Sequence, residues 1–417
     1  MTSVLFLSES FHPVLGGGEV HLLRLGSALA KGGDEATVVT RRGEPSWPAA
    51  ETLEGVRVVR VPPSGASRRG KFLMVPAAMR AVVREARRHD VLVVRGTRVL
   101  GLPGLLAGRG TGLAVVLQPE VNGELSGEAL TWGKAWADGA AGRLVRRGVA
   151  LRNLWLRDAD AWVAMSRRIR EEMVAAGVPE ERVALIPHGV DTARFRPATP
   201  AERAGLREAL GLPRGVLAVY TGRLLRGKGL ETLLESFATA ATRVPELQLV
   251  LVGSGEGQFL SIEDELRGRV AGRELGERVH FAGRVERVEN WLRAADFFVF
   301  PSVYEALGIA LVEAAACGLA AIGSRTGGIV DVIEENHSGL LVPPADAMAL
   351  AAAIEALGTD EDARRSMGEK GRGISLARFD ERDGLARYRG LFREVSSRRR
   401  ASCRREGAAR AGEGPPP

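Results

Sequence analysis

Two consecutive α/β domains, each built on a parallel, doubly wound sheet, are what this 417-residue sequence predicts. Three observations carry that expectation. Short apolar runs of the kind buried on both faces of a sheet alternate with helix-patterned stretches along most of the chain. Each of two such series opens with a strand, a glycine-bearing loop and a helix. Between them, at 194–213, lies a Pro- and Arg-rich passage suited to a linker with one short helix.

In chain order, 4–7 is a short buried-type strand. It is followed by Pro13, the run Gly16-Gly17-Gly18, a helical pattern over 19–31 and a second strand over 36–39. The glycines permit close backbone approach to a ligand, or form an ordinary tight turn; they do not spell G-x-G-x-x-G. Further strands are expected at 56–61, 91–94, 113–117 and 161–164, with helical stretches such as 72–88 between them. The second series has strands at 216–220, 247–252 and 279–281. Its basic glycine-bearing loop spans 221–229, its first helix 230–242, and a turn at Gly253-Ser254-Gly255 follows. Residues 347–395 are helical in pattern, and 396–417, made of Arg, Ala, Gly and Pro with almost no large apolar residue, should be disordered. The expected division is 1–197 for the first domain, with a helix near 378–395 crossing back to it, 210–375 for the second, and 396–417 as a basic tail. A cleft between the domains is the natural binding site.

With 45% hydrophobic residues the chain can bury sizeable cores. Its two cysteines, Cys317 in an apolar helical stretch and Cys403 in the basic tail, offer neither a disulfide framework nor metal-ligand spacing. The opening MTSVLFLSES lacks the pattern of a secretory signal and no apolar stretch reaches membrane-span length, so a cytoplasmic location is expected. The net charge of +7 is uneven: 28 basic against 20 acidic residues in 1–200, 24 against 29 in 201–397, and 6 against 2 beyond. A basic front half suits a membrane surface, an acidic substrate or nucleic acid, or reflects scattered arginines alone. One segment bears on this choice. Arg143, Arg146, Arg147, Arg152 and Arg157 punctuate Leu144, Val145, Val149, Leu151, Leu154, Trp155 and Leu156, which reads either as a helix lying on an anionic membrane or as one packed on its own sheet.

The stretch 296–344 joins a buried strand at 297–300, the break Pro301-Ser302, the turn Tyr304-Glu305-Ala306-Leu307-Gly308, and a helix closed by Gly318. Glu305 is thereby placed at the carboxyl edge of a strand and the amino end of a helix, where open α/β sheets bind ligands. The backbone N–H groups of Leu307, Gly308 and Ile309 are set to meet an anion there. On a continuous helix Glu313 lies about 12 Å further along and roughly 80° round. Two carboxylates so spaced cannot share one proton or one metal ion, but they can grip two hydroxylated ends of an elongated ligand. The plainer alternative makes Glu305 a helix-capping charge and Glu313 a surface one.

These residues resemble the retaining glycosyltransferases of family 4, of GT-B architecture, over nearly the whole of 4–395. The most specific likeness is Ser302-x-x-Glu305 with Glu313, followed by Ala314, Gly318 and Thr326-Gly327-Gly328. Gly16-Gly17 before Glu19, the run Ile186-Pro187-His188-Gly189-Val190-Asp191, Gly222-Arg223 with Lys228-Gly229, and Gly253-Ser254-Gly255 stand in the expected order. The resemblance implies two facing Rossmann-like domains and transfer of a sugar from a UDP-, GDP- or ADP-sugar to an acceptor it does not identify. No cofactor, no metal ion and no nucleic-acid partner is implied. Arg223 and Lys228 resemble the pair that neutralises the leaving diphosphate. Glu305 resembles the carboxylate on the transferred sugar, and Glu313 the one on the ribose. Gly16, Gly17, Ala306, Leu307, Gly308, Ile309 and Gly253 complete the implied donor-binding set. Departures are Glu305-Ala306-Leu307-Gly308 for the usual E-G-F-G, and Gln118-Pro119-Glu120 where many members carry a histidine. Glu120, past the end of a buried-type strand, is a candidate to accept the acceptor's proton or to orient its hydroxyl; the alternative is a turn residue facing water. Other GT-B enzymes, such as an epimerase or a glycogen synthase, and a non-catalytic nucleotide-sugar binder are the alternatives.

Overall fold

The computed structural model describes residues 2–412 except 15, 66, 68, 132, 133, 259, 273 and 274, with only the backbone at 404 and 406–412. The chain forms two compact units, Met1–Ile186 with Gly384–Pro417 and Pro187–Asp383.

The first unit has strands β1 (Ser3–Leu7), β2 (Glu35–Arg41), β3 (Ala50–Leu53), β4 (Val56–Val61), β5 (Val91–Arg95), β6 (Ala114–Gln118), β7 (Ala161–Ala164) and β8 (Val183–Leu185). They form one sheet in the order β3-β4-β2-β1-β5-β6-β7-β8. Every pairing is parallel except β3 with β4. The chain runs outward from β1 through β2 to β4 and β3, then returns to place β5 on the other side of β1. The order therefore reverses between β1 and β5, and the carboxyl ends of those strands are where such a sheet takes ligands. One core layer gathers Val4, Phe6, Val38, Val58, Val93, Val116 and Val163 under Leu22, Leu25 and Leu29 of the helix Gly17–Lys31.

Tyr388, Phe392 and Val395 of the helix Glu381–Gly412 join the same core. Their burial explains why the expected disorder of the tail is not found: the helix runs on through Gly412, while 413–417 lie outside the described residues. Once a turn is nucleated by packing, each further residue adds a hydrogen bond, and Arg and Ala are good helix formers. Glu394 and Arg398 pair at 3.3 Å along it, and Arg400 pairs with Asp90.

The second unit has strands β9 (Val216–Thr221), β10 (Leu247–Val252), β11 (Val279–Gly283), β12 (Phe297–Phe300), β13 (Ala320–Ser324) and β14 (Gly339–Val342). The sheet order is β11-β10-β9-β12-β13-β14, all parallel, so its reversal falls between β9 and β12. Its strands are apolar on both faces, as helix-covered parallel sheets require.

Candidate functional site

In the second unit the sheet reversal brings two loops together. The loop after β9 carries Gly222, Arg223 and Lys228; the loop after β12 carries Ser302 and Glu305. Gly229, at φ +70°, is the hinge of their approach, because a Cβ there would stand 1.9 Å from the Pro301 carbonyl oxygen. Val303 N–H donates to the Gly227 carbonyl at 3.0 Å and pins the two loops in register. The Lys228 Nζ then reaches the Glu305 carboxylate at 2.7 Å, with both side chains mostly buried. Arg223 is exposed and has no ion pair among the described residues. Its carbonyl accepts a hydrogen bond from the buried Tyr220 hydroxyl at 3.1 Å, which fixes the backbone beneath the guanidinium. Burial, with the Glu305 charge adding to it, pushes the Tyr220 phenol far up and keeps it a donor. The hydroxyls of Thr221, the last residue of β9, and Ser302, just past β12, are buried and have no partner among the described residues.

The Glu305 loop is braced from the far side. Gly328 N–H donates to the Glu305 carbonyl at 3.3 Å, and a Cβ on Gly328 would stand 2.4 Å from the Ala306 carbonyl oxygen. Thr326-Gly327-Gly328 thus acts on the site through the backbone of the turn. The helix Ile309–Ala316 starts later than a continuous reading from Glu305 assumes. Gly308 takes the left-handed conformation at φ +89° as its amino cap, so Glu305 stands in the turn before the helix. The 12 Å and 80° expected between Glu305 and Glu313 therefore do not apply; Glu313 lies half-buried in the helix proper. The Gly308 and Ile309 N–H groups have no acceptor among the described residues, as the open first turn of a helix leaves them. Gly253 lies directly against Gly222, and Glu263 holds the turn after it through the Ser254 hydroxyl at 2.7 Å and the Gly255 N–H at 2.9 Å. Burial would raise the Glu263 carboxyl, but those two bonds and Arg267 hold it below its ordinary range.

In the first unit Gly16 is the extended amino cap of the helix Gly17–Lys31, and Leu15 lies outside the described residues. Glu120 stands two residues past β6, half-buried, 2.9 Å from the guanidinium of Arg95 at the end of β5. Arg95 is buried and donates to the Gly18 carbonyl at 3.0 Å. A single arginine thus ties the amino end of the first helix to Glu120 across the sheet reversal. Burial raises the Glu120 carboxyl above its ordinary range; Arg95 pulls it down, and Glu124, Glu19 and Glu9 push it up again.

Sequence reasoning missed Arg95 and two glutamates behind it. Buried Glu124 accepts from Thr97 N–H at 2.6 Å, Thr97 hydroxyl at 2.8 Å and Glu120 N–H at 3.0 Å, joining the β5 and β6 ends. Glu172, on the helix Arg167–Ala175, accepts from the N–H groups of Gly123, Leu125 and Ser126 at 2.6, 2.7 and 2.8 Å. Arg95 had a visible signal, a charge ending the strand VLVVR. Glu124 and Glu172 had none, because the Thr97 and loop groups they meet carry no charge that marks the pairing in the sequence. Among the described residues no three His, Cys, Asp or Glu side chains gather as metal ligands.

The family profile described as Glycosyl transferases group 1 matches residues 205–373, and that described as Glycosyltransferase Family 4 matches 15–194. The D-inositol 3-phosphate glycosyltransferase of Pseudarthrobacter chlorophenolicus is 30% identical over 366 residues, 85% of this chain and 84% of its own. The GDP-mannose-dependent alpha-(1-6)-phosphatidylinositol monomannoside mannosyltransferase of Mycolicibacterium smegmatis is 28% identical over 415 residues, covering 95% and 99%. Among solved structures, sucrose-phosphate synthase from Thermosynechococcus elongatus superimposes with a TM-score of 0.81 at 27% identity, covering 95% of this chain and 100% of that one.

Proposed function

The chain belongs to glycosyltransferase family 4, and from that membership we propose retaining transfer of a hexose from a nucleoside diphosphate sugar to an acceptor hydroxyl, without a metal ion at the diphosphate. The observation that carries this reading is the pairing of Lys228 with Glu305 at the sheet reversal of the second unit, beside the exposed Arg223. The bond between the anomeric carbon and the diphosphate oxygen breaks, and the diphosphate leaves with the electron pair. Arg223, as a planar fork, and Lys228, as a point charge, neutralise it, and the Gly308 and Ile309 N–H groups add the positive end of a helix. Two fixed cations supply the charge that a divalent ion would otherwise bring. Glu305 holds Lys228 in place and accepts hydroxyls of the transferred sugar; Glu313 accepts those of the ribose. Gly253, Ala306 and Leu307 contribute backbone to the donor pocket; Gly16 and Gly17, at the amino end of the first unit's helix Gly17–Lys31, are assigned to donor binding by the family resemblance alone. The acceptor oxygen bonds to the anomeric carbon on the face the diphosphate left, and its proton passes to Glu120.

GDP-mannose stands in the name of one relative and D-inositol 3-phosphate in that of another; the second favours a phosphate-bearing acceptor, and the donor nucleotide is to be found by assay. One set of assays tests both points. UDP-, GDP- and ADP-sugars are screened by thermal shift, since a ligand bound only by the folded chain raises its apparent stability. The donor so found is then assayed with phosphorylated and unphosphorylated polyols, the anomeric configuration of the product being read by NMR. The expected result is stabilisation by one nucleotide class and a product with the donor's configuration. An inverted product, or donor turnover unaffected by any acceptor, would contradict the reading.

A further inference from the structure

The helix Ala140–Leu156 of the first unit wears its amphipathicity inside out. The inward face consists of Gly142, Val149, Asn153 and Leu156. The polar side chains on that side work on backbone: Asn153 donates to the Leu125 carbonyl at 2.7 Å, Arg152 to the Glu124 carbonyl at 2.7 Å, and Arg146 to the Ala137 carbonyl at 3.0 Å. The large apolar residues point the other way, with Leu144 71%, Leu151 64%, Trp155 62% and Leu154 53% exposed. At 100° per residue Leu144, Leu151 and Trp155 fall within roughly 40° of one another, in a single stripe about 16 Å long. Packing on its own sheet, one of the two readings open from sequence, therefore accounts for Val149 and Leu156 but for none of this stripe.

We propose that this outward face docks the enzyme on an anionic lipid surface, the helix lying in the plane of the headgroups. Charge selects that occupant over the others. The helix carries four arginines and no acidic residue, and the exposed Arg143 and Arg147 border the stripe on the side of Leu154. Apolar side chains with a cationic flank are what an interfacial helix needs, and an exposed tryptophan suits the boundary between acyl chains and water. A second copy of this chain meeting the same face would set arginines against arginines. Spanning is not at issue, since no helix among the described residues is long and apolar enough to cross a membrane. The proposal is independent of the donor chemistry.

Co-sedimentation of the full chain with vesicles tests it. The wild type should bind phosphatidylglycerol/phosphatidylethanolamine vesicles and not phosphatidylcholine ones. Arg143→Gln with Arg147→Gln should lower the partition about tenfold or more, and Leu151→Gln with Trp155→Gln by at least as much. Both pairs lie on the exposed face, so donor-induced thermal shift serves as the control for folding and should not move. Failure of the wild type to bind anionic vesicles, or variants that bind as it does, would overturn the proposal. A wild-type dimer that Leu151→Gln with Trp155→Gln converts to monomer would overturn it too, by showing the face to be a contact between copies.

Discussion

At the scale of single residues, Glu120 is where the structure changes the expectation most. Glu120→Gln keeps the shape of the side chain and removes its charge. That charge has two opposed effects in the fold: it pairs with the buried Arg95 guanidinium, but burial makes the ionised carboxyl the less favourable form, so the amide should cost little net stability. The sign of the pH dependence follows from the raised carboxyl. A carboxyl group whose folded pKa lies above its unfolded value favours folding below the unfolded value, and that contribution fades as pH rises through the folded one. The base must be ionised to act, so transfer should rise with pH along an acid limb displaced above the ordinary carboxylate range. Glu120→Gln should lower transfer about 100-fold and abolish the limb, with donor affinity kept. A limb unchanged in the variant would remove the base role. Arg223, Lys228 and Glu305 were legible one by one, because charge and glycine at fixed spacing survive in sequence. The Lys228–Glu305 pairing was not, since its partners stand 77 residues apart in the chain and meet only through the close approach of Gly229 to Pro301.

At the scale of elements, the loop 119–127 matters for what holds it. Three N–H groups of the loop converge on Glu172, and Glu124 ties Thr97 after β5 to Glu120, so the loop is fixed by one carboxylate from outside it and one of its own. Glu172→Gln keeps the shape and loses the charge-assisted bonds, each roughly twice as strong as a neutral one. The expected outcome is a stability loss of about 1 to 3 kcal/mol, faster amide exchange across 120–127, and a raised KM for acceptor with donor affinity unchanged. Hydrogen exchange and initial rates check it, and unaltered exchange in the loop would show the clamp to be idle. Strand positions were mostly legible: 56–61, 161–164, 247–252 and 297–300 agree residue for residue with β4, β7, β10 and β12. Those missed are of another kind. The antiparallel edge strand AETL, the three-residue β8, and β13 and β14, AAIGS and GLLV, lack the branched apolar runs that mark a buried strand. The expected single helix at 72–88 is broken into Gly70–Leu73, Val75–Glu85 and a 3-10 turn, with Pro76 in the first turn of the middle piece.

At the scale of the whole molecule, alternation of strand and helix was enough to foresee two parallel-sheet units, because a parallel sheet needs a crossover helix between successive strands. The order of strands was not foreseeable, and order is what creates a reversal in each sheet and so decides which loops meet. The polar tail shows the converse: local composition argued for disorder, while packing of Tyr388, Phe392 and Val395 carries the helix onward. In the proposed function two fixed cations, Arg223 and Lys228, neutralise the departing diphosphate where a metal ion otherwise would. The measurement that bears on it most directly is turnover of the identified donor and acceptor in excess chelator, for the wild type and for Arg223→Ala and Lys228→Ala. The account predicts full wild-type turnover in chelator and a fall of about 10² to 10³, or roughly 2.7 to 4 kcal/mol, in each variant while its fold persists. Wild-type activity lost in chelator and restored by a divalent ion, or variants that turn over as the wild type does, would contradict it.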